Sequence, residues 1–238
     1  MQQILQGTGS IILYFVIAAG SAIGSRFLIK IPNELFRKIL HCILLGSLLM
    51  FTFAYGEWWI SALAAVIFEV LVYPILIVLE RFRNFSEIIT TERKKGELKN
   101  SLLLVFTMYA VVVTICWGWL GDKYLALAAI YAWGFGDAAA ALIGKKFGKH
   151  KIKWKCTDGK KSVEGSLSMF IVSVISVLII LSYRGGMSMM GIIITSLITA
   201  AVSMLAELCS KDGNDTVICP MTAMVVLVPF VYLFGGLK

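Results

Sequence analysis

The sequence predicts an all-α fold, a polytopic transmembrane helix bundle of about eight spans, and three observations lead to it. Of the 238 residues, 59% are hydrophobic and only 15% charged, whereas a soluble domain stands nearer half apolar and a quarter charged. Apolar windows recur along the whole chain, most of them close to the roughly 20 residues that a spanning helix needs. Basic residues crowd into every second connection, the pattern left when Lys and Arg are retained on the cytoplasmic side.

The windows run near 9–29, 38–55, 58–79, 101–120, 124–143, 165–182, 188–206 and 217–235. The first has no basic residue ahead of it and no clear small-residue cleavage site, so it reads as a retained span and not as a signal peptide. The seventh is short and weak, which makes seven spans the alternative. Of the 22 basic residues, all but Lys123, Arg184 and Lys238 fall in one alternating set of connections. Eight spans then put both termini outside and the long loops, near 80–100, 145–163 and 208–216, inside. An odd number of spans would break that alternation. Length suits one integral membrane domain over residues 1–238, and a short chain with outside termini fits a bacterial plasma membrane.

Five cysteines, Cys42, Cys116, Cys156, Cys209 and Cys219, lack the paired spacing of a zinc site or a disulfide framework. A net charge of +8 suits anionic lipid headgroups or a polyanionic substrate such as a nucleotide. Nucleic acid is not expected, because no basic helix is interleaved with aromatics.

Charged groups within apolar spans cost about 2.5–3.5 kcal/mol each on insertion scales, which makes them functional candidates. Asp137, late in the fifth span within AIYAWGFGDAAAALIGKKFGKHKI, is the foremost. Glu69 is mid-span, and Glu207 lies near the inner end of the seventh. Around Asp137 the chain carries Gly134, Gly136, Ala138 to Ala141, Gly144 and Gly148. Such small residues serve either a packing face of the GxxxG kind or a groove that admits a ligand. Asp137, Ala141 and Gly144 share one helix face, and an acid beside a groove suits Mg²⁺ or a hydroxyl group.

The loop that follows carries eight lysines from Lys145 to Lys161, His150 and two glycine turns before Glu164 and Gly165. Lysines with the free N–H groups of a helix start can hold a triphosphate; a positive-inside loop against headgroups is the plainer alternative. Ser162 and Glu164 also fit an ordinary helix start. In NELFRKILHC, Glu34 and Lys38, like Arg37 and His41, stand four residues apart, so one helix end presents acid and base together. Arg37 and Lys38 could equally be snorkelling anchors. Glu207, Asp212 and Asp215 fall within nine residues around a Gly213–Asn214 turn, a spacing that suits Mg²⁺ in a nucleotide site or a plain turn.

In their order and spacing, the segments RKILH, RKKGELK, GDAAAALIGKKFGKHKI, KKSVEGS and Glu207 with GNDTVICP resemble the CTP-dependent polyprenol kinases. That family includes dolichol kinase, phytol kinase and the CTP-dependent diacylglycerol kinase of yeast. The resemblance runs from about Glu34 to Pro220. It implies transfer of the γ-phosphate of CTP to the hydroxyl of a long-chain isoprenoid or diacylglycerol alcohol, with Mg²⁺, at the cytoplasmic side. Carried over by position, it gives essential roles to Arg37, Lys38, Asp137 and Gly144, and nucleotide binding to the segment of Lys161, Ser162, Glu164 and Gly165. The chemistry of the residues then suggests Lys145, Lys149 and Lys160 as further phosphate contacts, His41 as a proton acceptor, and Asp137, Glu207 and Asp215 as metal ligands. One position departs from the pattern, since Asp215 is followed by Thr216 where the family usually has Asn. The GD…FGK…KS-EG core is shared with phosphatidate cytidylyltransferase, which transfers CMP instead. Its long C-terminal signature is missing here and the RKILH element belongs to the kinases, so the resemblance favours the kinase and keeps the cytidylyltransferase as the alternative. A transporter or non-enzymatic membrane protein is the reading from a different class.

Overall fold

A computed structural model describes residues 2–79, 97–154, 156–157, 159–210 and 213–235. The described residues are helical, without strands, and an isolated bridge pairs Lys151 with Ser162. In chain order the helices are α1 (Gln2–Leu28), α2 (Asn33–Ala54), α3 (Trp58–Leu79), α4 (Glu97–Val113), α5 (Lys123–Phe147), α6 (Val163–Arg184), α7 (Met189–Cys209) and α8 (Asp215–Leu233). A π-helical stretch, Thr114–Trp119, continues α4. All eight, α4 together with its π-helical continuation, are long and apolar enough to cross a bilayer. Among the described residues the expected count of eight therefore holds, the weak seventh window included. Of the RKKGELK loop only the last three residues, Glu97 to Lys99, fall within the described residues, at the start of α4, and Asp212 lies outside them.

The helices gather into two compact units, Met1–Val111 and Val112–Lys238. In the first, α1 packs on α2 because Gly7 leaves room: a Cβ there would stand 2.7 Å from the Ala54 carbonyl oxygen. Tyr14 donates to the Ile43 carbonyl at 2.7 Å. Phe51, Phe68 and Phe106 form an aromatic core with centroids 5.2–5.8 Å apart, a spacing at which ring pairs attract. Beside it the buried Tyr109 hydroxyl meets Thr52 at 2.9 Å and Ser61 at 2.7 Å, which satisfies three polar groups that burial would otherwise penalise.

In the second unit α5 is the central helix, packed by α6, α7 and α8. Residues Leu125 to Gly134 are all buried. A helix buried on every side needs small residues wherever a neighbour approaches, and Ala126, Ala128, Ala129, Ala132, Gly134 and Gly136 provide them. At Gly136 a Cβ would meet Ser173 Oγ at 2.5 Å and Met169 Cγ at 2.9 Å. Asp122 caps the start of α5 by accepting from Tyr124 N at 3.0 Å and Leu125 N at 3.1 Å. The same carboxylate accepts from Arg184 at the end of α6, so the antiparallel pair is joined at that end by charge.

Candidate active site

At the other end of the α5–α6 pair the helices meet through glycine. A Cβ on Gly165 would stand 2.9 Å from the Ala140 carbonyl oxygen and 3.2 Å from Gly144 Cα. Gly144 and Gly165 thus face each other across the helix contact, which is the packing role foreseen for the small residues. Gly148 lies one residue past the end of α5, its N–H bonded to the Gly144 carbonyl at 3.1 Å, and a Cβ there would run into Ser162. Both glycines of the GxxxG spacing thus make room for the start of α6, Gly144 from within α5 and Gly148 from the residue after it.

Ser162 caps α6, its hydroxyl accepting from Gly165 N at 3.2 Å, as the helix-start reading expects. The loop before it is drawn shut at its base. Val163 N donates to the His150 carbonyl at 2.9 Å and Ile152 N to the Lys161 carbonyl at 3.0 Å. Glu164 accepts from His150 N at 3.2 Å and meets His150 Nδ1 at 2.6 Å. Lys151 Nζ donates to the Lys160 carbonyl at 2.9 Å. Lys145, Lys149 and Lys160 are exposed along this loop and the helix end before it.

Lys161 turns inward. Its ammonium lies 3.0 Å from Glu207 Oε1 and donates to the Ser210 carbonyl at 3.0 Å and to the Glu207 carbonyl. One cation thus neutralises a buried acid and caps the last carbonyls of α7, where a positive charge is favoured. Asp137 and Asp215 are both close enough to Glu207 to interact with it electrostatically. Three of the carboxylates singled out in the sequence, from α5, α7 and α8, are therefore brought into one neighbourhood with Lys161. Asp137 and Asp215 are half-buried, Glu207 buried.

Two features escaped the sequence reading. Trp133, one turn before Asp137 and fully buried, donates its indole N–H to Asp215 Oδ2 at 3.3 Å. The α7 face that ends in Glu207 is polar along its length, with Thr195, Thr199 and Ser203 at four-residue intervals, all buried. That interval was the signal available for the second; the first had none.

Arg37, Lys38 and His41 belong to the first unit. Arg37 pairs with Glu34, three residues before it, Lys38 is buried and His41 half-buried. Glu69, also of that unit, lies 3.5 Å from the Thr107 hydroxyl. The five cysteines are free thiols.

Among the described residues, no three of His, Cys, Asp and Glu form a ready-made metal cluster. That donor set still fits Mg²⁺, which keeps several waters and takes one or two carboxylates together with substrate phosphates. Soft-metal sites of the Cys–His kind are a poorer match.

The phytol kinase of Synechocystis sp. is 28% identical over 117 residues, a match that spans 49% of this chain and 49% of that protein. The chain therefore spans about half the length of the curated relative it matches. No solved structure matches. The sequence model of the cytidylyltransferase family matches residues 4–210, which takes in α1 to α7, the glycine contact and the Lys161–Glu207 pair. Both findings bear out the resemblance that the motifs carry. Since that match covers most of the sequence, the chain belongs to the cytidylyltransferase family.

Proposed function

We propose that this protein is a membrane-embedded lipid kinase that transfers the γ-phosphate of CTP to the hydroxyl of a long-chain alcohol, isoprenoid or diacylglycerol. The observation that carries the reading is the gathering of Asp137 and Asp215 around the Glu207–Lys161 pair, at the end of the second unit where a lysine-rich loop leaves the helices. Phosphoryl transfer asks a protein mainly to position reactants and balance charge, and that convergence offers the groups for it. Likeness to a phytol kinase supports the phosphoryl transfer, and membership in the cytidylyltransferase family supports CTP as the nucleotide.

Asp137 and Asp215 would hold Mg²⁺, which when bound supplies charge neutralisation to the transferring phosphoryl group. Lys145, Lys149 and Lys160, exposed beside the site, would draw in the triphosphate from the cytosol. Lys161 keeps Glu207 oriented, and Glu164 holds the base of the loop through His150. On this reading the loop side faces the cytoplasm of a bacterial cell and both termini lie outside, in keeping with the distribution of basic residues.

Cytidylyl transfer to a phosphatidate-type lipid is the second reading, favoured by the family's own description. One assay separates the two. Purified protein is given CTP labelled at the γ-phosphate, Mg²⁺ and a panel of phytol, farnesol, polyprenols, diacylglycerol and phosphatidate. Label in the lipid is expected; label released as pyrophosphate, with CMP in the lipid, overturns the kinase. Asp137→Ala should lower the rate by about a hundredfold or more, the scale of losing one charge-stabilising group at a reaction centre. Full activity in that variant would sink its assignment.

A further inference from the structure

The acids of the site are restrained in two different ways. Glu207 is held by a cation, Lys161, at 3.0 Å. Asp215, the first residue of α8 and half-buried, accepts from the Trp133 indole at 3.3 Å. An indole N–H donates but carries no charge and cannot accept. It can therefore fix a carboxylate without itself bringing a charge to the site. Restraint is needed at this point, because Asp215 shares its surroundings with Asp137 and Glu207, and like charges drive a side chain with rotamer freedom apart.

Trp133 is suited to the task by its burial. Its ring is 1% exposed, so packing locks the rotamer and the N–H cannot follow a wandering carboxylate. It stands four residues before Asp137, about 6 Å along the axis of the same helix. One rigid element therefore supplies one acid directly and the strut for another.

We propose that Trp133 is a positioning residue, whose indole N–H holds the Asp215 carboxylate beside Asp137 and Glu207 in the geometry that receives the divalent cation of the nucleotide complex. The inference rests on the kinase reading for the cation and on geometry alone for the hydrogen bond. The bland alternative is a core tryptophan whose N–H takes the nearest acceptor, as buried tryptophans commonly do.

The test uses the full chain in detergent, with Mn²⁺ plus CTP as the probe. Trp133→Phe keeps a ring of similar character and removes the donor. Free Mn²⁺ is followed by its electron paramagnetic resonance. The variant is expected to require about tenfold more Mn²⁺ or more for half-saturation, the usual cost of losing a partner that orients a metal ligand; the smaller ring also lowers the metal-free melting temperature, so binding is compared where both proteins are folded. Half-saturation equal to that of the unaltered chain overturns the proposal. A second measurement stands even if that variant does not fold. Among the indole N–H resonances of the six tryptophans, one should shift in Asp215→Asn; if none moves, the hydrogen bond is absent and the proposal falls. An unaltered chain that takes up neither Mn²⁺ nor CTP overturns the kinase reading and the metal half of this inference with it, while the indole resonance still decides whether Trp133 holds Asp215.

Discussion

The two ends of the α5–α6 pair each carry a buried ion pair, and only one of them looks like chemistry. Where α5 starts, one acid meets one base: Asp122 accepts from Arg184 and from two backbone N–H groups, and Arg184 also donates to the Gly185 carbonyl at 3.0 Å. Charge and hydrogen-bonding capacity are used up within the structure. Where α5 ends, Lys161 meets Glu207 with Asp137 and Asp215 close by, so acids from three different helices gather at one place. A charged residue near the edge of a span is thus a weak mark of function by itself. Several acids brought together from different helices are the stronger one.

Breaking the closed end should cost the most stability. Arg184→Leu strands Asp122, whose side chain is 8% exposed, and removing one partner of a buried pair costs about 3–5 kcal/mol. Denaturant or thermal unfolding in detergent checks this, together with the double variant Asp122→Leu/Arg184→Leu, which should recover part of the loss. Activity per folded molecule should not change, because neither residue stands at the acid cluster.

At the open end the expected effect moves from folding to chemistry. Lys161→Met leaves Glu207 without its cation, and losing such an orienting partner costs roughly 10–100-fold in activity or metal affinity. Adding Glu207→Gln should restore nucleotide-dependent thermal stabilisation if Lys161 acts by neutralising Glu207. No recovery, with weaker CTP binding in Lys161→Met alone, would give Lys161 a direct phosphate contact instead.

The smallest effect is expected at the glycine contact. An added methyl at Gly144 would lie 3.2 Å from Ser162 Oγ and 3.4 Å from Gly165 Cα, a crowding worth about 1 kcal/mol. Gly144→Ala should therefore lower the melting temperature slightly. Loss of CTP affinity at an unchanged melting temperature would mean that Gly144 faces the nucleotide more than it faces α6.

Much of this fold was legible because the bilayer imposes a simple rule: long apolar runs separated by charge. All eight windows correspond to helices, though α2 starts at Asn33 and not near 38, and α1 reaches back to Gln2. Hydropathy misses such turns because polar residues such as Gln2 and Asn33 form helix outside the apolar window. The π-helical turn at Thr114–Trp119 was invisible for another reason, since one residue more per turn leaves an all-apolar segment apolar. In the site, the acids were legible as charges where the membrane tolerates few. Their partners were not. Lys161 and Glu207 are 46 residues apart and Trp133 and Asp215 are 82 apart, so nothing local in the sequence pairs them. Lys161 reads as one of eight loop lysines until folding turns it inward.

Those long separations have a consequence for biosynthesis. Asp137 leaves the ribosome 70 residues ahead of Glu207 and 78 ahead of Asp215. At synthesis rates of about 5–20 residues per second, that is roughly 4–16 s during which α5 exists without them. The Trp133 indole and the Lys161 ammonium are likewise made before their acceptors. The acid cluster is therefore among the last features of the second unit to assemble, completed only when the final two helices have been made, and a nascent chain stalled before α7 would hold Asp137 with none of the company that gives it a role.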